Sequence, residues 1–111
     1  MTLANSDIPQ PTPGETQDQF CKRLEANGLD EMRLRKSARE HFSMNPAEMG
    51  AYFENFPEAR LRHLASLQET YPQGYQSNDR LTRKVSLDLG IPLEKASSWV
   101  KKIREYEADK K

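Results

Sequence analysis

The stretch that decides the fold is Leu81–Ile103, LTRKVSLDLGIPLEKASSWVKKI, in a chain of 111 residues. Its apolar side chains recur every three or four residues on both sides of Gly90, and this spacing predicts two short helices joined at the glycine. Two helices that cross steeply after only three or four residues need a positive φ at the corner, which glycine adopts without steric cost. The small side chain of Ser86 lets the second helix approach the first. The residues expected to close a small core around this corner are Val85, Leu89, Ile91, Ala96 and Trp99.

The positions of these residues relative to Gly90 resemble the helix-turn-helix motif of small bacterial and phage DNA-binding regulators. In that motif a buried residue stands where Val85 is, a small residue follows it, and a glycine precedes an apolar residue such as Ile91. The resemblance covers residues 79–104, and no closer family is identified for the rest of the chain. Two positions depart from the pattern, since Ser86 stands where alanine is commoner and Ala96 where a larger aliphatic residue is usual.

The resemblance implies that the helix after Gly90 lies in the major groove of duplex DNA, with its outer face against the base edges. Lysines on that helix would bond guanine or phosphate, and basic residues on the preceding helix would face the backbone phosphates. The candidate DNA-binding residues are Arg80, Thr82, Arg83, Lys84, Lys95, Ser97, Ser98, Lys101 and Lys102. The outer face is the main departure from the motif, because it carries Glu94 and Glu105 and no arginine or asparagine. A carboxylate can accept from cytosine, but mostly it repels phosphate. The first hypothesis is a DNA-binding protein, either a transcriptional regulator or an accessory factor of a phage or another mobile element.

A second hypothesis, from a different class, is a helical adaptor or inhibitor that acts by binding another protein. It is favoured by the zero net charge, by the glutamates on the outer face and by Leu87, which is predicted to point away from the local core. The surface around Lys95, Lys101 and Lys102 separates the two hypotheses. A continuous positive patch that reaches the basic residues of the preceding helix favours DNA, whereas a patch interrupted by carboxylates beside an exposed Leu87 favours a protein partner. Since one helix-turn-helix unit buries little surface, specific DNA binding would require a homodimer or a second contact.

The charge of the chain is balanced overall, with 17 basic and 17 acidic side chains. Residues 1–30 hold two basic and five acidic side chains, a net charge of −3, and residues 79–111 hold nine and six, a net charge of +3. The overall balance argues against a strongly basic nucleic-acid binder, although the positive end of the chain carries the glycine corner.

The composition indicates one small domain without a membrane span. Hydrophobic residues make up 35% and charged residues 31% of the chain, so it can bury a lean core. No run of about eighteen apolar residues occurs, and the first residues have neither the basic cluster nor the apolar segment of a secretory signal. The single cysteine, Cys21, cannot form an internal disulfide and is expected to be buried. These features favour a cytoplasmic protein.

Helix start and stop signals divide the chain into a disordered tail, residues 1–14, and a single helical domain, residues 15–111. The domain comprises a helical body at residues 15–71 and the helix-turn-helix-like unit at residues 79–108. A loop rich in turn-forming residues at 71–78 connects the two parts.

Capping residues and apolar periodicity define the helices within the domain. Gly28 is expected to end the first helix in the left-handed conformation, and Asp30 and Asn45 to cap the second and third helices. The second helix carries Leu34, Ala38, His41 and Phe42 at helical spacing. The last helix presents an apolar stripe that starts at Leu93 and continues through Ala96, Trp99, Val100, Ile103 and Tyr106. The chain is therefore predicted to form an all-α bundle of about six helices.

No constellation of catalytic or metal-binding residues stands out. His41 and His63 lie 22 residues apart without acidic or cysteine partners at metal-ligand spacing. There is no glycine-rich phosphate loop, and no serine or cysteine lies in a recognisable nucleophile context. The chain is therefore not expected to be an enzyme or to need a cofactor. The basic run at 33–39 is interpreted as a solvated helix face, with a second nucleic-acid contact, enlarged by residues 58–63, as the alternative.

Overall fold

The computed structural model describes residues 9–70 and 77–109. The helices are α1 (Gln17–Ala26), α2 (Glu31–Phe42), α3 (Pro46–Tyr52), α4 (Pro57–Thr70), α5 (Asn78–Leu89) and α6 (Leu93–Asp109). A short 3₁₀ helix, Phe53–Asn55, connects α3 to α4. No strand occurs in these described residues, and the prediction of an all-α fold with six helices is confirmed.

Local capping contacts determine where the first three helices begin and end. Thr16 and Gln19 form a reciprocal capping box at the start of α1, and Gly28, with a φ of 91°, follows the end of that helix. The Asp30 side chain accepts a hydrogen bond from a backbone N–H in the first turn of α2, and the Asn45 side chain does the same for α3. The predicted stop at Gly28 and the two predicted caps are confirmed.

Helices α1, α2 and α3 and the start of α4 enclose the first of two hydrophobic clusters. Its buried members are Phe20, Cys21, Leu24, Leu29, Leu34, Ala38, Met44, Met49, Phe53, Phe56 and Ala59. Cys21 is fully buried, as predicted, and burial raises the pKa of its thiol to about 11. Three of the four residues predicted on the apolar face of α2 are confirmed, because Leu34 and Ala38 are buried and Phe42 packs against the cluster; the placement of His41 there is wrong, because it is exposed.

Helices α4, α5 and α6 enclose the second cluster, which includes the five residues predicted to close the core around the glycine corner. Its buried members are Leu64, Leu81, Val85, Leu89, Ile91, Ala96, Trp99, Val100 and Ile103. The prediction that the buried stripe of α6 starts at Leu93 is wrong, because Leu93 is 56% exposed. Leu93 is the first residue of α6 and lines an open groove between α5 and α6 rather than packing into the cluster.

A buried ion-pair network connects α2, α4 and the end of α5. Arg60 and Glu31 are both fully buried, and Arg60 Nε donates to Glu31 Oε1 at 2.5 Å. Arg60 Nη2 also donates to the Gly50 carbonyl at 2.7 Å. Arg35 donates to the same carboxylate at 2.7 Å and to the Leu89 carbonyl at 3.0 Å. The network therefore ties α2 to both α4 and the last turn of α5.

Gly50 lets α3 approach the corner between α5 and α6. A Cβ atom at this position would lie 2.8 Å from the Leu89 carbonyl oxygen and 2.9 Å from the Gly90 carbonyl oxygen. Both oxygens belong to the backbone, so a larger residue at position 50 would have to displace the corner itself.

The segment before α1 is held against that helix by an arginine. Arg23 Nη2 donates to the Gln10 carbonyl at 2.8 Å and forms an ion pair with Glu15, also at 2.8 Å. The hydrogen bond from Arg23 is the main reason that the pKa of Glu15 falls to about 2. The predicted disordered tail, residues 1–14, lies outside the described residues at positions 1–8, and the loop predicted at 71–78 lies outside them at positions 71–76.

Candidate nucleic-acid interface

The corner between α5 and α6 is closed by hydrogen bonds around Ser86. Gly90 has a φ of 68° and a ψ of 43°, the left-handed conformation predicted for it. The Gly90 and Ile91 N–H groups donate to the Ser86 carbonyl at 2.9 and 3.1 Å. The Ser86 hydroxyl donates in return to the Ile91 carbonyl at 2.6 Å. Serine therefore supplies a hydrogen bond across the corner that alanine would not, and this bond helps to set the direction of α6.

The face of α6 that points away from the core is exposed, as predicted. Its exposed residues are Glu94, Lys95, Ser97, Ser98, Lys101, Lys102 and Glu105. Lys102 Nζ lies 4.4 Å from the centroid of the Trp99 ring, so this lysine is held over an aromatic side chain. The Ser98 hydroxyl donates to the Glu94 carbonyl at 3.4 Å within the helix. The face thus combines two adjacent lysines and small polar side chains with two carboxylates.

An open groove of about 600 Å³ separates the outer faces of α5 and α6. Thr82 and Arg83 line it from α5, and Ser97 lines it from α6. Three of the nine candidate DNA-binding residues are therefore brought together around one concave surface. Asp79 and Glu94 line the same groove, so carboxylates stand beside Arg83.

Two of the other basic candidates, Lys84 and Lys95, lie beside carboxylates and do not extend this groove into a positive patch. Lys95 Nζ lies 3.1 Å from Glu54 Oε1, which draws it toward the 3₁₀ helix. Lys84 lies close enough to Asp88 to contribute to the lowered pKa of that carboxyl. Arg80 is exposed in the first turn of α5. The positive surface is interrupted by carboxylates, and by the criterion that separates the two hypotheses this feature favours a protein partner.

Two exposed leucines lie on the outer surface of α5 and α6. Leu87 is 83% exposed, as its predicted outward direction requires, and it lies one helical turn after Arg83 on α5. Leu93, whose exposure the periodicity of α6 did not predict, lines the groove itself. The outer surface of α5 and α6 therefore offers apolar as well as charged contacts.

The basic runs of the helical body take part in the fold. The interpretation of residues 33–39 as a solvated face holds for the exposed Arg39 and is wrong for Arg35, whose side chain is only 16% exposed and joins the buried network. In the second run Arg60 is fully buried. Arg62 Nη1 donates to the backbone carbonyls of residues 25 and 29, at 2.9 and 3.1 Å. These arginines hold helices together and do not enlarge a nucleic-acid surface.

A histidine–carboxylate contact joins α4 to α5. The His63 Nε2 and Asp88 Oδ2 atoms lie 2.5 Å apart, and both side chains are largely buried. The hydrogen bond with His63 is the main cause that lowers the pKa of Asp88, and Lys84 and Arg35 add to it. A carboxyl whose pKa is lowered by folding stabilises the folded state above its unfolded pKa. That contribution is lost as the pH falls through the folded pKa.

We therefore expect Asp88→Asn to make the free energy of unfolding less sensitive to acid. Between about pH 5 and pH 2, the free energy of the wild type should fall more steeply than that of the variant, because only the wild type must protonate Asp88. Urea unfolding at several pH values measures the two slopes. Asp79→Asn, which changes an exposed carboxylate at the start of α5, is the matched control. Equal slopes for the wild type and Asp88→Asn would show that the contact does not stabilise the fold.

Neither a metal site nor a membrane-spanning helix is found in the described part of the chain. Residues 9–70 and 77–109 contain no group of three or more His, Cys, Asp or Glu side chains placed to hold a metal ion. Over the same ranges, every helix is too short or too polar to cross a membrane. Comparison with protein-family models, curated proteins and solved structures finds no match. The function therefore has to be inferred from the surface itself.

Proposed function

We propose that this protein binds duplex DNA, without catalysing a reaction, through the outer surface of α5 and α6, and that a carboxylate on this surface, a feature that by itself favours a protein partner, selects a base. The observation that carries the proposal is the grouping of Thr82, Arg83 and Ser97 around one groove, with Lys101 one helical turn beyond Ser97 and Lys102 beside it. These residues lie on two helices joined at a tight glycine corner, the arrangement through which helix-turn-helix proteins insert a helix into the major groove.

The proposed contacts divide between bases and phosphates. Ser97 and Lys101 lie one turn apart on α6 and would face the base edges, where lysine bonds guanine and serine is permissive. Arg80 and Arg83 on α5 would contact backbone phosphates. Glu94 would accept a hydrogen bond from the amino group of cytosine, so its carboxylate would select a base at some cost in affinity.

The small number of exposed cations determines how strongly salt should weaken the complex. If Arg80, Arg83 and Lys102 each neutralise one phosphate, log K falls against log salt concentration with a slope of about −2.7. Affinity is then expected to fall roughly 40-fold between about 50 and 200 mM salt. One α5–α6 unit makes few contacts, so we propose that specific sites are bound by a homodimer that presents two units.

Lys101→Glu combined with Lys102→Glu is expected to weaken binding to mixed-sequence duplex DNA by at least about 100-fold at about 50 mM salt. The reason is that two attractive contacts are replaced by repulsion from phosphate. Both side chains are exposed, so the thermal unfolding curve should change little. Fluorescence anisotropy of a labelled duplex at the two salt concentrations measures the affinity. Leu87→Ser is the control, since it alters an exposed residue of the same surface without changing its charge.

The proposal is supported by salt-dependent binding that the double reversal destroys and Leu87→Ser retains. It is contradicted if the wild type does not bind duplex DNA at the lower salt concentration. It is also contradicted if the double variant binds as tightly as the wild type.

A protein partner is the second candidate, and the exposed leucines favour it. Leu87 and Leu93 are 83% and 56% exposed, and Leu93 lines the groove together with charges of both signs. Apolar side chains within a balanced set of charges suit a protein surface better than a polyanion. If this candidate is correct, Leu87→Ser weakens binding to the protein partner, whereas Lys101→Glu combined with Lys102→Glu leaves that binding intact. With purified protein alone, the interaction that can be measured is self-association through this surface, by sedimentation velocity.

A further inference from the structure

A cleft of about 270 Å³ lies between α3 and the corner that joins α5 to α6. Most of its lining consists of small or apolar residues, namely Ala47, Gly50, Ala51, Gly90, Ile91 and Pro92. The polar residues of the lining are Glu54, Lys95 and Arg60. The side chains of Glu54 and Lys95 are 41% and 57% exposed, whereas Arg60 is fully buried. The cleft therefore leads from an exposed ion pair inward to a buried guanidinium.

The guanidinium of Arg60 carries a donor atom that the fold does not use. Its Nε and Nη2 atoms donate to the Glu31 carboxylate and the Gly50 carbonyl. Nη1 is buried and has no hydrogen-bond partner within the described ranges. The Trp99 ring, whose centroid lies 5.1 Å from Arg60 Cζ, attracts the positive charge but offers no oxygen acceptor. A buried donor on a charged group without an acceptor is unfavourable and calls for an explanation.

The hydrogen-bonded charged side chains around this donor carry an excess of positive charge. The Glu31 carboxylate is bonded to both Arg60 and Arg35, so these three side chains together carry a charge of +1, and the Asp88 carboxylate interacts with Arg35 only from outside this trio. A monoanion in the cleft would offset this charge and supply the missing acceptor. A dianion such as phosphate would bring a second charge against apolar walls, where it is disfavoured.

We propose that the cleft binds a small aliphatic monocarboxylate. Its carboxylate would accept from Arg60, and its hydrocarbon part would lie against Ala47, Ala51 and Ile91. The volume of the cleft restricts the ligand to a short chain. Because Gly90 belongs to the turn before α6, a bound ligand would contact the residues that determine the direction of that helix. The proposal does not depend on whether α6 binds DNA.

Butyrate is the probe, and butyramide is its uncharged analogue of the same shape. Trp99 is the single tryptophan of the chain and lies over Arg60, so its emission reports changes at the guanidinium. We expect butyrate at tens of millimolar to shift the Trp99 emission saturably and to raise the Tm by about 3–5 °C. Butyramide, and sodium chloride at the same ionic strength, should do neither.

A variant whose cleft is filled by a larger side chain tests whether butyrate binds there. Ala51→Leu places a larger side chain into the cleft from an exposed position on α3 and should abolish both responses to butyrate. Ala26→Leu, at the exposed end of α1 and outside the cleft, should retain them. If Ala51→Leu does not fold, Ala47→Leu blocks the same cleft. The proposal is overturned if butyrate acts no differently from butyramide or sodium chloride, or if the blocked variant responds as the wild type does.

Discussion

Replacing Arg60 with methionine is expected to lower the free energy of unfolding by about 3–5 kcal/mol, because the substitution leaves the Glu31 carboxylate buried without its fully buried partner. Both side chains are fully buried, and Arg60 also holds the Gly50 carbonyl. Arg35 remains bonded to Glu31 but lies at the edge of the network, with 16% of its side chain exposed. Urea unfolding followed by circular dichroism measures the loss.

Two further variants identify the cause of that loss. Arg62→Met also removes an arginine that joins α4 to α1, but its side chain is 31% exposed, and its one carboxylate partner, Glu58, is itself exposed. Its expected cost is about 1 kcal/mol. Glu31→Gln in the Arg60→Met background removes the buried charge, so the double variant should lose less than the sum of the two single losses. An Arg60→Met protein as stable as Arg62→Met would show that the buried pair does not hold the clusters together.

The helices and their ends were predictable from the sequence because they depend on neighbouring residues. Asp30 and Asn45 each satisfy backbone N–H groups within three residues, and Gly28 and Gly90 adopt the positive φ that glycine favours. The core around the glycine corner was predictable for a related reason. Apolar side chains at helical spacing share one face whatever that face packs against.

The buried network was not predictable, because it depends on contacts between distant parts of the chain. Glu31 and Arg60 are 29 residues apart, and each stands among other charged residues that are exposed or half-buried. Charged side chains are rarely fully buried, so a reading of composition assigns both to the surface. Only the packing of α2 against α4 reveals the pair.

The candidate interface was predictable in part. The outward direction of the α6 lysines and of Leu87 follows from helical periodicity and agrees with the structure. The exposure of Leu93 did not follow, because an apolar residue in the first turn of a helix is buried only if a neighbouring element covers it. The carboxylate partner of Lys95 could not be predicted from the sequence either, because Glu54 lies 41 residues earlier in the chain. Tertiary packing therefore decides how much positive charge this surface presents.

Trp99→Ala is expected to lower the free energy of unfolding by about 3–5 kcal/mol, since it removes the largest apolar side chain from the cluster formed by α4, α5 and α6. Trp99 is 3% exposed, and cations from Arg60 and Lys102 lie over its ring at 5.1 and 4.4 Å. Because the chain has a single tryptophan, the unfolding of this variant has to be followed by circular dichroism rather than by fluorescence.

Two further variants show whether the free energy of unfolding depends on burial of the Trp99 ring or on its contacts with cations. Trp99→Phe keeps an aromatic ring in the cluster and should cost clearly less than Trp99→Ala, because the cavity it leaves is smaller. Lys102→Met removes the exposed cation and keeps the hydrocarbon stem over the ring, so its expected cost is at most about 1 kcal/mol. A Trp99→Ala protein that unfolds like the wild type would show that the ring does not support the packing of α6 on α4. The corner at Gly90 would then have to hold the direction of α6 through the Ser86 hydrogen bonds alone.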